Sequence, residues 1–176
     1  DYLTSDIAKQ VVNDLSANEI NASFEFYRNH LLLLIELQNG KRSGVLAHLK
    51  VAHVTAAKVV NNKAQYLVTE HKTFRTDGPS VVSVPLNLHT AITNYANFVR
   101  PPTKSEYLFT TRKGTIINAT EVTKFLKVAW EEFGQAQGKE VGKISCVLIR
   151  KTLTSASRAK NWSRDSQLLL DRKSVV

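Results

Sequence analysis

The apolar positions of this chain change period twice, and the changes divide it into three parts. In the first part they recur every three or four residues. Ile7, Val11 and Leu15 share a face over 5–16, with Ser5 or Asp6 placed to cap the start, which predicts a short helix. Phe24, Tyr27, Leu31, Leu34 and Ile35 repeat the pattern over 21–38, while Leu32, Leu33 and Leu37 fill the other faces. A helix apolar nearly all round is buried on most sides, so this one is expected at the centre of the core. Asn39-Gly40 stops it, and a short helix over 42–50 turns Val45, Leu46 and Leu49 inward.

Between 54 and 86 the pattern becomes β-like. Val54, Ala56, Val59 and Val60, then Tyr66 and Val68, then Val81, Val82 and Val84 mark strands over 54–60, 65–71 and 80–86. Turn signals at Asn61-Asn62-Lys63 and Thr76-Asp77-Gly78-Pro79 separate them. Helical spacing returns over 88–99 with Leu88, Ile92, Tyr95 and Val99, and Pro101-Pro102 closes that run. Tyr107-Leu108-Phe109 is extended, and Arg112-Lys113-Gly114 turns. Asn118 and Glu121 have the spacing of a capping box, ahead of a stripe of Val122, Phe125, Leu126, Ala129, Trp130 and Phe133. After a polar loop from Gln135 to Gly142, residues 146–160 and 164–171 read as two more helices. In the first of these, Ile149, Leu153 and Ala156 face inward and Arg150, Thr154 and Arg158 share the opposite face. The expected fold class is mainly α with a small three-stranded antiparallel meander, in a single domain over 1–176.

Composition adds exclusions. With 43% apolar and 22% charged residues, the chain is neither mainly disordered nor fibrous. One cysteine, Cys146, excludes an internal disulfide and fits a reducing compartment. The longest apolar run, Leu31 to Ile35, is too short to span a bilayer, and the N-terminus has no signal-peptide pattern. A chain that starts at Asp1 and contains no methionine reads as a piece of a longer protein.

Charge changes the picture more. The net charge is +9, but residues 1–40 carry −4, 41–76 carry +6, 77–149 carry +2 and 150–176 carry +5. Two separate stretches therefore hold more than the whole excess. A fold that joins them makes one basic face, suited to a polyanion such as nucleic acid. The five histidines lack metal-ligand spacing, and no nucleotide-binding or hydrolase motif is present. His30 beside the leucine run reads as a helix-surface or satisfied core residue, and Cys146 as a small buried hydrophobe.

The candidate chemistry is cationic. Arg42 begins a short helix directly after the most buried one. Lys72 lies at the end of the second strand, and Arg150 opens a late helix. Two fixed arginines and a hairpin lysine suit phosphoryl transfer. Guanidinium forks bind non-bridging oxygens and offset transition-state charge, and a lysine can protonate a leaving alkoxide. Lys41, Thr73, Arg75, Lys151 and Arg158 are the candidate DNA-backbone contacts around them.

These segments, in this order, resemble the catalytic domain of the tyrosine recombinase (phage integrase) family, nearest in flavour to its crypton-type eukaryotic branch. Asn39 to Leu49 is similar to the first-arginine box, T-G-x-R-x-x-E-x-x-x-L, with Arg42 at the arginine. His71-Lys72-Thr73 resembles the hairpin lysine motif, Val147 to Arg150 the H-x-x-R box, and Leu168 to Lys173 the L-L-G-H segment, with Arg172 or Lys173 near the histidine. The resemblance implies DNA integration and recombination, with Arg42, Lys72, Arg150 and Arg172 or Lys173 as catalytic groups. It also implies duplex DNA as partner, oligomers on DNA, no cofactor and, for a mobile-element protein of eukaryotes, work in the nucleus. Val147 departs from the family's His or Lys, Val45 from its acidic residue, and a cation stands at the L-L-G-H histidine. All five tyrosines precede Arg150, so none occupies the nucleophile position, and the chain as it stands is expected to be inactive. The residues thus fit a strand-exchange enzyme, a non-catalytic DNA-binding module of the same fold, or a basic protein-interaction domain.

Overall fold

A computed structural model describes residues 1–70 and 78–159. The stretch with Lys72, Thr73, Arg75 and half of the predicted Thr76–Pro79 turn lies outside them, as do the predicted helix over 164–171, Arg172 and Lys173.

The elements follow the apolar periods. A single 3-10 turn, Tyr2–Thr4, leads into α1, Asp6–Ala17, whose first turn is capped by the Ser5 hydroxyl accepting from the Ala8 N–H. α2, Phe24–Asn39, is capped by Ser23 and ends at Gly40 in the left-handed conformation, φ 58°. Tyr27 through Glu36 are all buried, so α2 is the axis of the core. Each leucine there contributes about 1.5–3 kcal/mol by leaving water. α1 and α6, Ala119–Ala136, pack on α2, and so does the sheet through its third strand. The Asn118–Glu121 capping box forms as spaced, with Glu121 N–H on Asn118 Oδ1 at 2.8 Å and Asn118 N–H on Glu121 Oε1 at 3.2 Å.

The sheet is β1, Lys58–Val60, β2, Lys63–Val68, and β3, Ser80–Pro85, antiparallel in sequence order. Asn61 and Asn62, φ 51° and 60°, make the two-residue turn that pairs Val60 with Lys63. The first strand is shorter than the valines suggest. Residues Val51–Thr55 form a helix, α4, following α3, Ser43–Ala47, so the single helix expected over 42–50 and the start of the strand are both revised. Val54 is buried from this helix, and the Lys50 N–H is held by His53 Nδ1 at 2.9 Å. Tertiary burial of one apolar face outweighs β propensity here. α5, Leu86–Asn94, starts two residues before its prediction and runs on as a π-helical turn, Tyr95–Val99.

The last described helix is α7, Cys146–Ala159. Its buried positions are Cys146, Ile149, Thr154 and Ser157, with Leu153 half-buried and Ala156 exposed. The inward face is therefore rotated from the expected one, taking Thr154 into the interior and leaving Arg150 at its edge. Ser157 satisfies its hydroxyl on the Leu153 carbonyl at 2.8 Å, which makes a small polar residue acceptable there.

Candidate DNA-phosphate site

The site grows from the end of α2. Gly40 donates its N–H to the Glu36 carbonyl at 2.8 Å and reverses the chain at positive φ. A β-carbon here would lie 2.9 Å from Leu153 Cδ1 and 3.4 Å from Arg150 Cα. Glycine thus serves twice, for the turn and for contact with the α7 backbone. Two residues on, Arg42 is the N-cap residue of α3, half-buried, with φ −70° and ψ 146°. The close approach at Gly40 brings Arg42 and Arg150 together. Burial, first, and then the Arg42 charge hold the Arg150 pKa below its usual value, while Glu36 and Cys146 act the other way. Arg150 Nε is buried and has no hydrogen-bond partner among the described residues.

Beneath the pair lies a group that no motif contains. Glu36 is fully buried, and its Oε2 accepts the Lys41 backbone N–H at 3.1 Å. Its Oε1 has no hydrogen-bond partner among the described residues. Burial drives the carboxyl well above its ordinary pKa, and the Lys41 N–H, Arg150, the Cys146 thiol and the Lys41 charge pull it back. Cys146 is the small buried residue expected, and burial raises its thiol pKa. The signal in the sequence was a glutamate inside the apolar run from Leu31 to Leu37, where an acidic group must be buried with partners.

The sheet is tied to this turn by Asn39. Its Nδ2 donates to the Ser83 carbonyl at 2.9 Å, and its Oδ1 accepts from the Ser83 N–H at 2.8 Å. At the far end of β2, Glu70 is the last described residue before the stretch that holds Lys72. It pairs with Lys50 and accepts from the Tyr107 hydroxyl at 3.0 Å.

The predicted residues divide as follows. Arg42 and Arg150 converge. Lys41 is only 5% exposed, with its charge beside Glu36, so it supports the turn from within instead of offering an exposed contact. Lys151 and Arg158 are exposed on α7. Val147, one turn before Arg150, is 51% exposed and Val45 is buried. The tyrosine hydroxyls have other neighbours: Tyr2 has His30, Tyr27 has Asp14, Tyr66 has His89 and Tyr107 has Glu70. Tyr95 is buried against Arg28 and Arg100. Beside Arg42, Ser43 and the α6 residues Thr120, Thr123, Lys124, Lys127 and Glu131 line a groove of about 650 Å³. Among the described residues no cluster of His, Cys, Asp and Glu is placed to hold a metal ion, and no helix is long and apolar enough to cross a membrane.

This architecture is similar to that of solved recombinases. The chain superposes on XerH site-specific recombinase bound to difH substrate in a pre-cleavage complex, with TM-score 0.62 and 17% identity over 92% of this chain and 44% of that one. It also superposes on XerA recombinase, with TM-score 0.57 and 15% identity over 96% and 53%. A post-cleavage XerH complex with palindromic difH gives 0.56 and 16% over 93% and 48%. The chain therefore spans about half the length of the recombinases it resembles. No family model and no curated protein matches it.

Proposed function

We propose that this domain binds duplex DNA through its backbone phosphates and serves DNA strand exchange in a crypton-like, mobile-element recombinase of the nucleus. Arg42 and Arg150 form the phosphate clamp, Lys72 is the general acid, and Arg172 or Lys173 is an auxiliary cation. Thr73, Arg75, Lys151 and Arg158 extend the backbone contact. The observation that carries the reading is the arginine pair itself. Two like charges are held together at the edge of the core, Arg150 with its Nε buried and without a hydrogen-bond partner among the described residues, and guanidinium forks so paired are suited to non-bridging phosphate oxygens. The DNA substrates named for the XerH complexes are in keeping with this.

A labelled duplex titrated at several salt concentrations tests it. Affinity should fall steeply, with log K against log[salt] sloping about −0.9 per phosphate neutralised. Arg42→Ala and Arg150→Ala should each weaken binding about 10- to 100-fold, the worth of a charge-assisted contact. Absence of binding at low salt would leave the basic protein-interaction domain.

A second reading, a DNA-binding module without catalysis, is favoured by Val147, since a valine beside Arg150 neither donates a proton nor binds phosphate. A nicked duplex incubated with the 176-residue chain should yield no covalent adduct. An adduct would show that one of the five tyrosines is a nucleophile after all.

A further inference from the structure

We propose that Glu36 is the positioning residue of the arginine pair, a carboxylate held behind it that fixes the turn bearing Arg42 and steadies Arg150. The inference rests on the phosphate reading of that pair and goes beyond it by assigning the group that shapes it.

Three cations, Lys41, Arg42 and Arg150, are gathered around the α2 C-terminus, and Glu36 is the acidic side chain whose charge reaches both Lys41 and Arg150. A buried carboxylate is expensive to keep, and apolar residues fill the rest of this helix from Leu31 to Leu37. Its placement accounts for its presence. Oε2 fixes the Lys41 N–H, so the Gly40–Lys41 peptide at the turn that leads to Arg42 is held. The carboxyl also lies on the core side of Arg150, fully buried, where no ligand reaches it. An exposed carboxylate at the pair would compete with a phosphate. A buried one fixes the turn from behind through its bond to the Lys41 N–H and leaves the outer face of the pair positive. The Cys146 thiol fills the remaining side of the carboxyl without adding charge.

Direction of effect separates positioning from bulk electrostatics. Glu36→Leu removes the acceptor of the Lys41 N–H and an acidic group, and the loss of an acidic group by itself leaves DNA binding unchanged or tighter. If Glu36 positions the arginines, the variant binds the duplex about 10-fold more weakly at fixed salt, and the salt slope drops by about 0.9 for each phosphate that the arginines cease to neutralise. Circular dichroism and Tm establish that it is folded during the measurement. Glu132→Gln, in a buried network elsewhere, serves as control and should lower Tm without changing the slope. Equal or tighter binding by Glu36→Leu with an unchanged slope would overturn the proposal.

A second arm needs no DNA. Arg150→Ala strands the buried carboxylate, so adding Glu36→Gln should recover part of the fall in Tm, and the two effects should be less than additive. Strict additivity would overturn the coupling. This arm decides even if Glu36→Gln alone fails to fold, since the double variant should then be the better folded of the two. If the parent chain fails to bind DNA, the phosphate reading falls, and the Tm cycle still decides whether Glu36 holds Arg150.

Discussion

Two buried polar clusters hang on α2, ten residues of which are buried in succession, and they are built on opposite terms. Near the N-terminal end, His30 is fully buried and fully used. The Tyr2 hydroxyl meets its Nδ1 at 2.7 Å and Glu132 Oε2 meets its Nε2 at 2.8 Å, with Tyr2 stacked on the ring. Arg28, two residues before, is equally satisfied, by the Thr110 carbonyl, Asn29 and the Phe125 face at 3.6 Å. At the C-terminal end, Glu36 Oε1 and Arg150 Nε are buried without hydrogen-bond partners among the described residues. The closed cluster staples the first turn, α2 and α6 together. The open one keeps two buried polar atoms without hydrogen bonds among the described residues, beneath the arginine pair. Satisfied networks specify a fold, although even beside Arg28 the Thr110 and Tyr95 hydroxyls are buried without hydrogen-bond partners among the described residues, so the contrast lies in charge: ionisable groups go unbonded at one end and hydroxyls at the other.

The sharpest way to break this division is Gly40→Val, because Gly40 belongs to both fold and site. A β-branched residue at φ 58° is strained, and its β-carbon would press on Leu153 and the Arg150 backbone. The two costs together should remove about 2–5 kcal/mol of stability, seen as a lower denaturant midpoint, and DNA affinity should fall with it. Retained stability would mean that α7 moves freely at this contact. Next in size is His30→Phe, which keeps the ring volume and strands the Tyr2 hydroxyl and Glu132. It should cost about 1–3 kcal/mol and leave the salt slope of DNA binding unchanged. A changed slope would show that the two clusters communicate along α2.

Much of this was legible in the chain. The all-round apolar pattern of Phe24 to Leu37 places α2 in the core, Asn39-Gly40 ends it, and Asn118 with Glu121 starts α6. Each of these is a local signal with a local cause. What was not legible is tertiary. Val54 belongs to a helix because of what it packs on, although its neighbours favour strand. The inward face of α7 depends on Leu153 meeting Gly40, a contact between residues far apart in the chain, and so Thr154 and Ala156 exchange places. In the site, Arg42 and Arg150 were visible through their motifs. Asn39 was visible only as a helix stop, although it clips β3 to the same turn. Lys41 counted as an outward cation because sequence gives its charge and not its burial.

The smallest effect is in pH, where the two clusters should pull in opposite directions. Burial outweighs Glu132 and lowers the His30 pKa from its ordinary 6.5. The unfolded chain therefore binds more protons there, and this contribution to stability is complete above 6.5 and is lost as pH falls through the folded value. Tyr2, Glu132 and Phe26 are the groups against that ring. Glu36 has the reverse sign. Its folded pKa is raised above 4.5, so its contribution is complete below 4.5 and declines as pH rises toward the folded value, with Lys41, Arg150 and Cys146 facing it. Each group alone can tilt stability by no more than about 1.4 kcal/mol per pH unit. Denaturant midpoints measured from about pH 4.5 to 8 should show a gain from His30 over the acid part of the range and a loss from Glu36 across it. His30→Phe should reduce the acid-side gain, part of which His53 and His89 keep because burial lowers their pKa values too, and Glu36→Gln should remove the decline. If Glu36→Gln left the alkaline side of the profile unchanged, the carboxyl would already be ionised with its cations at no cost. The open cluster would then be as well compensated as the closed one.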